Sequence, residues 1–97
     1  MPIDHPSTRD PDGRVVVFDA GSYLHLAQRR PWLLGQIDVI LATISAPELH
    51  ANDPIPGRER FYSRHTEPGS WLRIIVDFNE QPAWVVTALV QDFEPGD

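Results

Sequence analysis

Between Pro31 and Ser45 the apolar residues Leu33, Ile37, Ile40, Leu41 and Ile44 recur at spacings of three and four, which draws one buried stripe along a helix. From Arg58 onward the repeat shortens to two. In "WLRIIVDF", Leu72, Ile74, Val76 and Phe78 share one face of a strand, and Trp71, Arg73, Ile75 and Asp77 share the other. "GRERFYSRH" likewise sets Arg58, Arg60, Tyr62 and Arg64 on a single face, and "AWVVTALV" supplies a further strand after the turn "NEQP". Helical period first and strand period afterwards describe helices packed on one face of a meander, an α+β layer.

Upstream, "RVVVFDA" is β-branched and bounded by Gly13 and Gly21, so a first strand is expected at about residues 14–18. Ser22 offers an N-cap to "SYLHLAQRR", and Pro31 ends that short helix while suiting the first turn of the next. The second helix is expected to end near Ser45, before Pro47, and "PELHANDPIPG" to be a connection. The element order is then β-α-α-β-β-β. Pro2, Pro6, Pro11 and Asp12-Gly13 mark residues 1–13 as a mobile arm; residues 14–91 form the one domain that a 97-residue chain accommodates, and 92–97 an acidic tail.

The formal net charge is −6, which argues against a basic surface over the whole molecule. The acidity lies at the ends. Residues 77–97 carry five acids and no base, whereas residues 21–76 carry six Arg against five acids. With no Cys, disulfides, thiolate metal sites and cysteine nucleophiles are excluded. His5, His25, His50 and His65 are scattered, with no H-x-x-x-H and no carboxylate cluster, so neither a metal nor a cofactor is expected. The polar N-terminus resembles neither a signal nor a transit peptide, and no apolar run has membrane-spanning length. The expectation is a soluble cytoplasmic protein.

The arginine strand has two readings: a solvated edge kept from aggregating, or a row of guanidinium forks facing phosphate oxygens with Tyr62 between them. His25 precedes Arg29 by one turn, so the two share a helix face. Thr87 is a hydroxyl inside an apolar run, either an ordinary strand residue or a phosphate ligand on a groove. Glu48, Glu59 and Asp77 serve as bases or merely hold arginines.

His25, "RRP" at 29–31, "ILATISAPE", "GRERFYSRH", "WLRIIVDF" and "VVTALV" together resemble the RelE-like toxins of the barnase, EndoU, colicin and RelE nuclease group, the BECR-fold nucleases, over residues 20–90. The resemblance implies two N-terminal helices on a small curved antiparallel sheet, with RNA bound on the other sheet face. It also implies metal-independent RNA cleavage by attack of a ribose 2′-hydroxyl on its own phosphate, and a partner antitoxin of a toxin–antitoxin or phage-related system. Carried over, His25 is the acid/base group, Arg58 and Arg60 clamp the phosphate, and Thr87 binds it. Arg29, Tyr62, Arg64 and Arg73 would then bind substrate. The alternative keeps the fold without the chemistry: a binding or accessory module that docks a protein or nucleic acid through its Arg/Tyr strand.

Overall fold

In the computed structural model, which describes residues 5–95, the first helix is set by a reciprocal cap. The Asp19 carboxylate accepts from the Ser22 amide at 2.9 Å and the Ser22 hydroxyl accepts from the Asp19 amide at 3.2 Å, starting α1 (Ala20–Arg29). The cap is thus Asp19 rather than Ser22. Ser22 turns inward instead, and its hydroxyl donates to the Val85 carbonyl at 2.6 Å, pinning the start of the helix to the sheet. Arg30 closes α1 by donating its amide to the Leu26 carbonyl, and Pro31 follows. Pro31–Gln36 winds as a 3-10 helix with no side-chain cap and with Gly35 inside it, so α2 runs only from Ile37 to Ser45.

Six strands form one sheet: β1 (Ser7–Arg9), β2 (Val15–Val17), β3 (Leu49–Asn52), β4 (Arg58–Arg64), β5 (Trp71–Asp77) and β6 (Ala83–Gln91), in the spatial order β1-β2-β6-β5-β4-β3. The architecture is α+β. Its order, however, is β-β-α-α-β-β-β-β, and the sheet is mixed rather than antiparallel, because β2 runs parallel to β6. A parallel pair needs a long crossover, and the helices between β2 and β6 belong to one. Two strands lay outside the expected order. Ser7–Arg9, inside the segment read as an arm, pairs with Val15–Val17, and Leu49–Asn52, inside the segment read as a connection, pairs with Glu59–Tyr62. Residues 1–4 of that arm and 96–97 of the acidic tail lie outside the described residues.

The helices cover one face. Leu26, Leu33, Ile40 and Ile44 meet Phe61, Leu72, Ile74, Val76, Val85 and Ala88 in a single core, with Ile37 and Leu41 packed against its margin. The expected stripe and the expected faces of β5 therefore stand. The sheet curls into a half-barrel. Gly57, at φ +83°, turns the chain into β4 where a Cβ would collide with the Asn79 side chain. Among the described residues no helix is long and apolar enough to cross a membrane.

Candidate functional site

The face of the sheet turned away from the helices carries the strand residues singled out above. Cross-strand pairing sets them in rows: Arg58–Asp77–Trp84, Arg60–Ile75–Thr87, Tyr62–Arg73–Leu89 and Arg64–Trp71–Gln91. Thr87 reaches this face through an irregularity. Ile75 pairs with Thr87 but Val76 pairs with Val85, so Val86 is an extra residue that reverses the alternation between Val85 and Thr87. Unbroken alternation from Val85 would turn Thr87 into the core.

Arg30 meets it there. Its Nη1 donates to Thr87 Oγ1 at 3.4 Å, joining the C-terminal end of α1 to the middle of β6. His25 lies half-buried on the same helix, one turn after Gly21, where a Cβ would stand 4.0 Å from the Trp84 ring, and one turn before Arg29. α1 thus runs alongside β6 from Val85 to Thr87. Arg29 itself is exposed at the end of the helix. Arg30 was not among the expected site residues; its position at the helix cap, directly before Pro31, is the feature that aims it back at the sheet.

The three arginines of β4 are each met by a carboxylate. Arg60 Nε bonds Asp53 Oδ1 at 2.7 Å, Arg58 Nε lies 3.5 Å from Asp77 Oδ2, and Arg64 Nε lies 3.7 Å from Glu48 Oε1. Burial pushes the Asp53 carboxyl up, but hydrogen bonds from Arg60 and the Ile55 amide outweigh it and hold the group below its ordinary range. Asp53, and behind it the Tyr62 hydroxyl, hold the Arg60 guanidinium more firmly protonated than usual against its desolvation. Tyr62 is 3% exposed, packed between these neighbours rather than standing free. Arg73 differs, being half-buried with no ion pair among the described residues.

A second polar cluster closes the end of the half-barrel. Arg14, just before β2, donates through both terminal nitrogens to Glu59 at 2.8 Å, donates through Nε to Asp10 at 2.7 Å, and lies 3.7 Å over the Phe78 ring. His50, which lies in β3, stacks 4.2 Å from Phe61 and joins Glu59 at 2.6 Å. The hydrogen bonds from Arg14 hold the Glu59 carboxyl below the usual range despite burial. For Asp10 burial acts upward and Arg14 outweighs it. Glu48, Glu59 and Asp77 all prove to face arginines. No group of three or more His, Asp or Glu is poised to hold a metal among the described residues.

Surface clefts lie beside Phe78 and Pro82, along Asn52–Glu59, and beside Tyr23 and Leu24; none of these is lined by Thr87, Arg73 or Arg30. The Arg30–Thr87 contact lies on the sheet outside these three clefts. Comparison with protein-family models, with curated proteins and with solved structures returns no match.

Proposed function

We propose that this chain is a small metal-independent ribonuclease, a toxin of a toxin–antitoxin or phage-related system, that cleaves RNA at the outer face of its sheet. The observation that supports it is the Arg30–Thr87 contact. A helix-borne guanidinium and a strand hydroxyl converge at 3.4 Å beside Arg73, a combination suited to the non-bridging oxygens of one phosphate. In the reaction a base takes the proton of a ribose 2′-hydroxyl, the oxygen attacks the adjacent phosphorus, and the P–O5′ bond breaks as the leaving oxygen is protonated. Arg30, Arg73 and Thr87 stabilise charge on the phosphorane, and His25, on the helix flanking β6, serves in proton transfer. Arg58, Arg60 and Arg64 shape the surface from within their ion pairs, and the natural partner is an antitoxin that keeps the chain silent.

Those ion pairs favour one other reading. Three strand arginines already neutralised, on a chain of net charge −6, suit a non-catalytic module that docks a protein or nucleic acid. Tightly induced expression in bacteria separates the two. Wild type is expected to arrest growth, and Thr87→Val, Arg30→Ala and His25→Ala, at matched soluble levels, to relieve the arrest, after which RNA ends are mapped. Equal growth in all four strains would move the assignment to the docking module.

A further inference from the structure

Four buried side-chain atoms make no hydrogen bond among the described residues: Arg58 Nε, which has only its 3.5 Å ionic contact with Asp77, and Arg73 Nε, Trp71 Nε1 and Gln91 Oε1. All four side chains spring from the outer face of the sheet. Buried polar groups are ordinarily paired, and a buried indole N–H in particular finds an acceptor. Groups of this kind are completed by ordered water or by a bound molecule.

Two of the four stand together. Trp71 and Gln91 face each other directly across β5 and β6, are 3% and 5% exposed, and present one donor and one acceptor. The Gln91 amide is oriented by its own network, since Nε2 donates to the Phe93 carbonyl at 2.8 Å and leaves Oε1 as the unused atom. Over the Trp71 ring the Arg64 guanidinium lies 4.6 Å from the centroid. That cover is loosely held. The Arg64 side chain is 64% exposed, and its contact with the half-exposed Glu48 carboxylate spans 3.7 Å, a surface pair of little worth.

We propose that Trp71 and Gln91 form a nucleobase subsite beside the phosphate-binding group, filled by one unpaired base of an RNA strand when Arg64 swings aside. Each of the four bases displays an acceptor next to a donor on its Watson–Crick edge, the complement of Trp71 Nε1 and Gln91 Oε1. In a duplex that edge is occupied, so the subsite selects single-stranded RNA. Once displaced, the Arg64 guanidinium is free to stack on the base or to meet the next phosphate, and Arg73, two positions along β5, lies between the base and Thr87. Charge favours RNA as the occupant along the row of arginines: Arg64, Arg73 and Arg30 line the path, and Glu48, Asp53 and Asp77 beside it are engaged with arginines, while the exposed Asp92 and Glu94 after Gln91 border the base end of the subsite. The subsite rests on the ribonuclease reading, which supplies the phosphate beside it.

The test uses labelled 2′-O-methyl oligonucleotides, which the proposed chemistry cannot cut, with binding read by fluorescence anisotropy on the full chain. Wild type is expected to bind an unpaired strand more tightly than the same strand in a duplex or one carrying abasic nucleotides. Trp71→Phe and Gln91→Ala each weaken single-strand binding by about 3- to 10-fold, the worth of one hydrogen bond, and leave duplex binding unchanged. If melting shows that Gln91→Ala has lost its fold, Gln91→Met, of similar length without polar atoms, takes its place. Unchanged affinity in both variants, or equal binding of the abasic strand, overturns the base subsite and leaves the phosphate reading standing. Failure of wild type to bind any strand overturns both. Displacement of the strand by an acidic peptide that itself needs Trp71 and Gln91 overturns the subsite in favour of protein docking.

Discussion

Glu59 accepts both terminal nitrogens of Arg14 and one ring nitrogen of His50, so one carboxylate ties the segment before β2 to the opposite side of the half-barrel. Replacing it by Gln removes the charge, and two guanidinium nitrogens lose an ionic acceptor; Glu59→Gln is expected to lower stability at neutral pH by about 1–3 kcal/mol, read by urea unfolding. Glu59 and Asp10 are both held below their ordinary range. Such groups contribute stability that is fully present above their unfolded values, about pH 4, and is lost as pH falls through their lower folded values. Wild type should therefore lose melting temperature steeply below about pH 4, and Glu59→Gln less steeply. A parallel acid profile in the two proteins would remove Glu59 from the account. That Glu59 holds an arginine was one of two readings the sequence left open; which arginine was not legible, because Arg14 and Glu59 lie 45 residues apart and only closure of the sheet brings them together. The same holds for the β4 arginines: their alternation on one face could be read directly, but their neutralisation depends on Asp53, Asp77 and Glu48 arriving from neighbouring segments.

At the scale of elements, long apolar repeats announced themselves and short polar ones did not. The stripe of α2 and the hairpin of β5 and β6 have enough periodic residues to specify their faces. "STR" and "LHAN" have none, and become β1 and β3 only because β2 and β4 offer them a free edge. The side on which Thr87 stands was equally hidden, since it turns on the single extra residue Val86. α1 is a ten-residue helix whose start depends on Asp19. Asp19→Ala is expected to cost about 1 kcal/mol, a fall of about 4–8 °C in melting temperature for a domain of this size. Because Arg30 sits on the same helix, the variant should also weaken whatever Thr87 and Arg30 bind together; an unchanged melting temperature would mean that Ser22, bonded to Val85, positions the helix unaided.

For the molecule as a whole, charge placement sets how strongly the proposed site would hold a polyanion. With Arg58 and Arg60 committed to carboxylates, the cations directed at the phosphate of the proposed site are Arg30 and Arg73, and the loosely held Arg64 adds a third contact only where it meets the next phosphate. Two phosphate contacts on a single strand predict a slope of about −1.4 for log affinity against log salt, whereas five would give about −3.5. A slope near the larger figure would mean that RNA breaks the ion pairs of β4. The parallel register of β2 with β6 bears on a different property, the order of events as the chain leaves the ribosome. Val16 pairs with Ala83, so β2 gains its inner neighbour only after more than sixty later residues have been made. Until then β2 has only the short β1 to pair with, and a two-stranded ribbon is marginal in water. α1, anchored through Ser22 to Val85, waits for the same strand. Folding is thus deferred until synthesis of this region is nearly complete, and a nascent chain truncated before β6 is expected to remain protease-sensitive throughout.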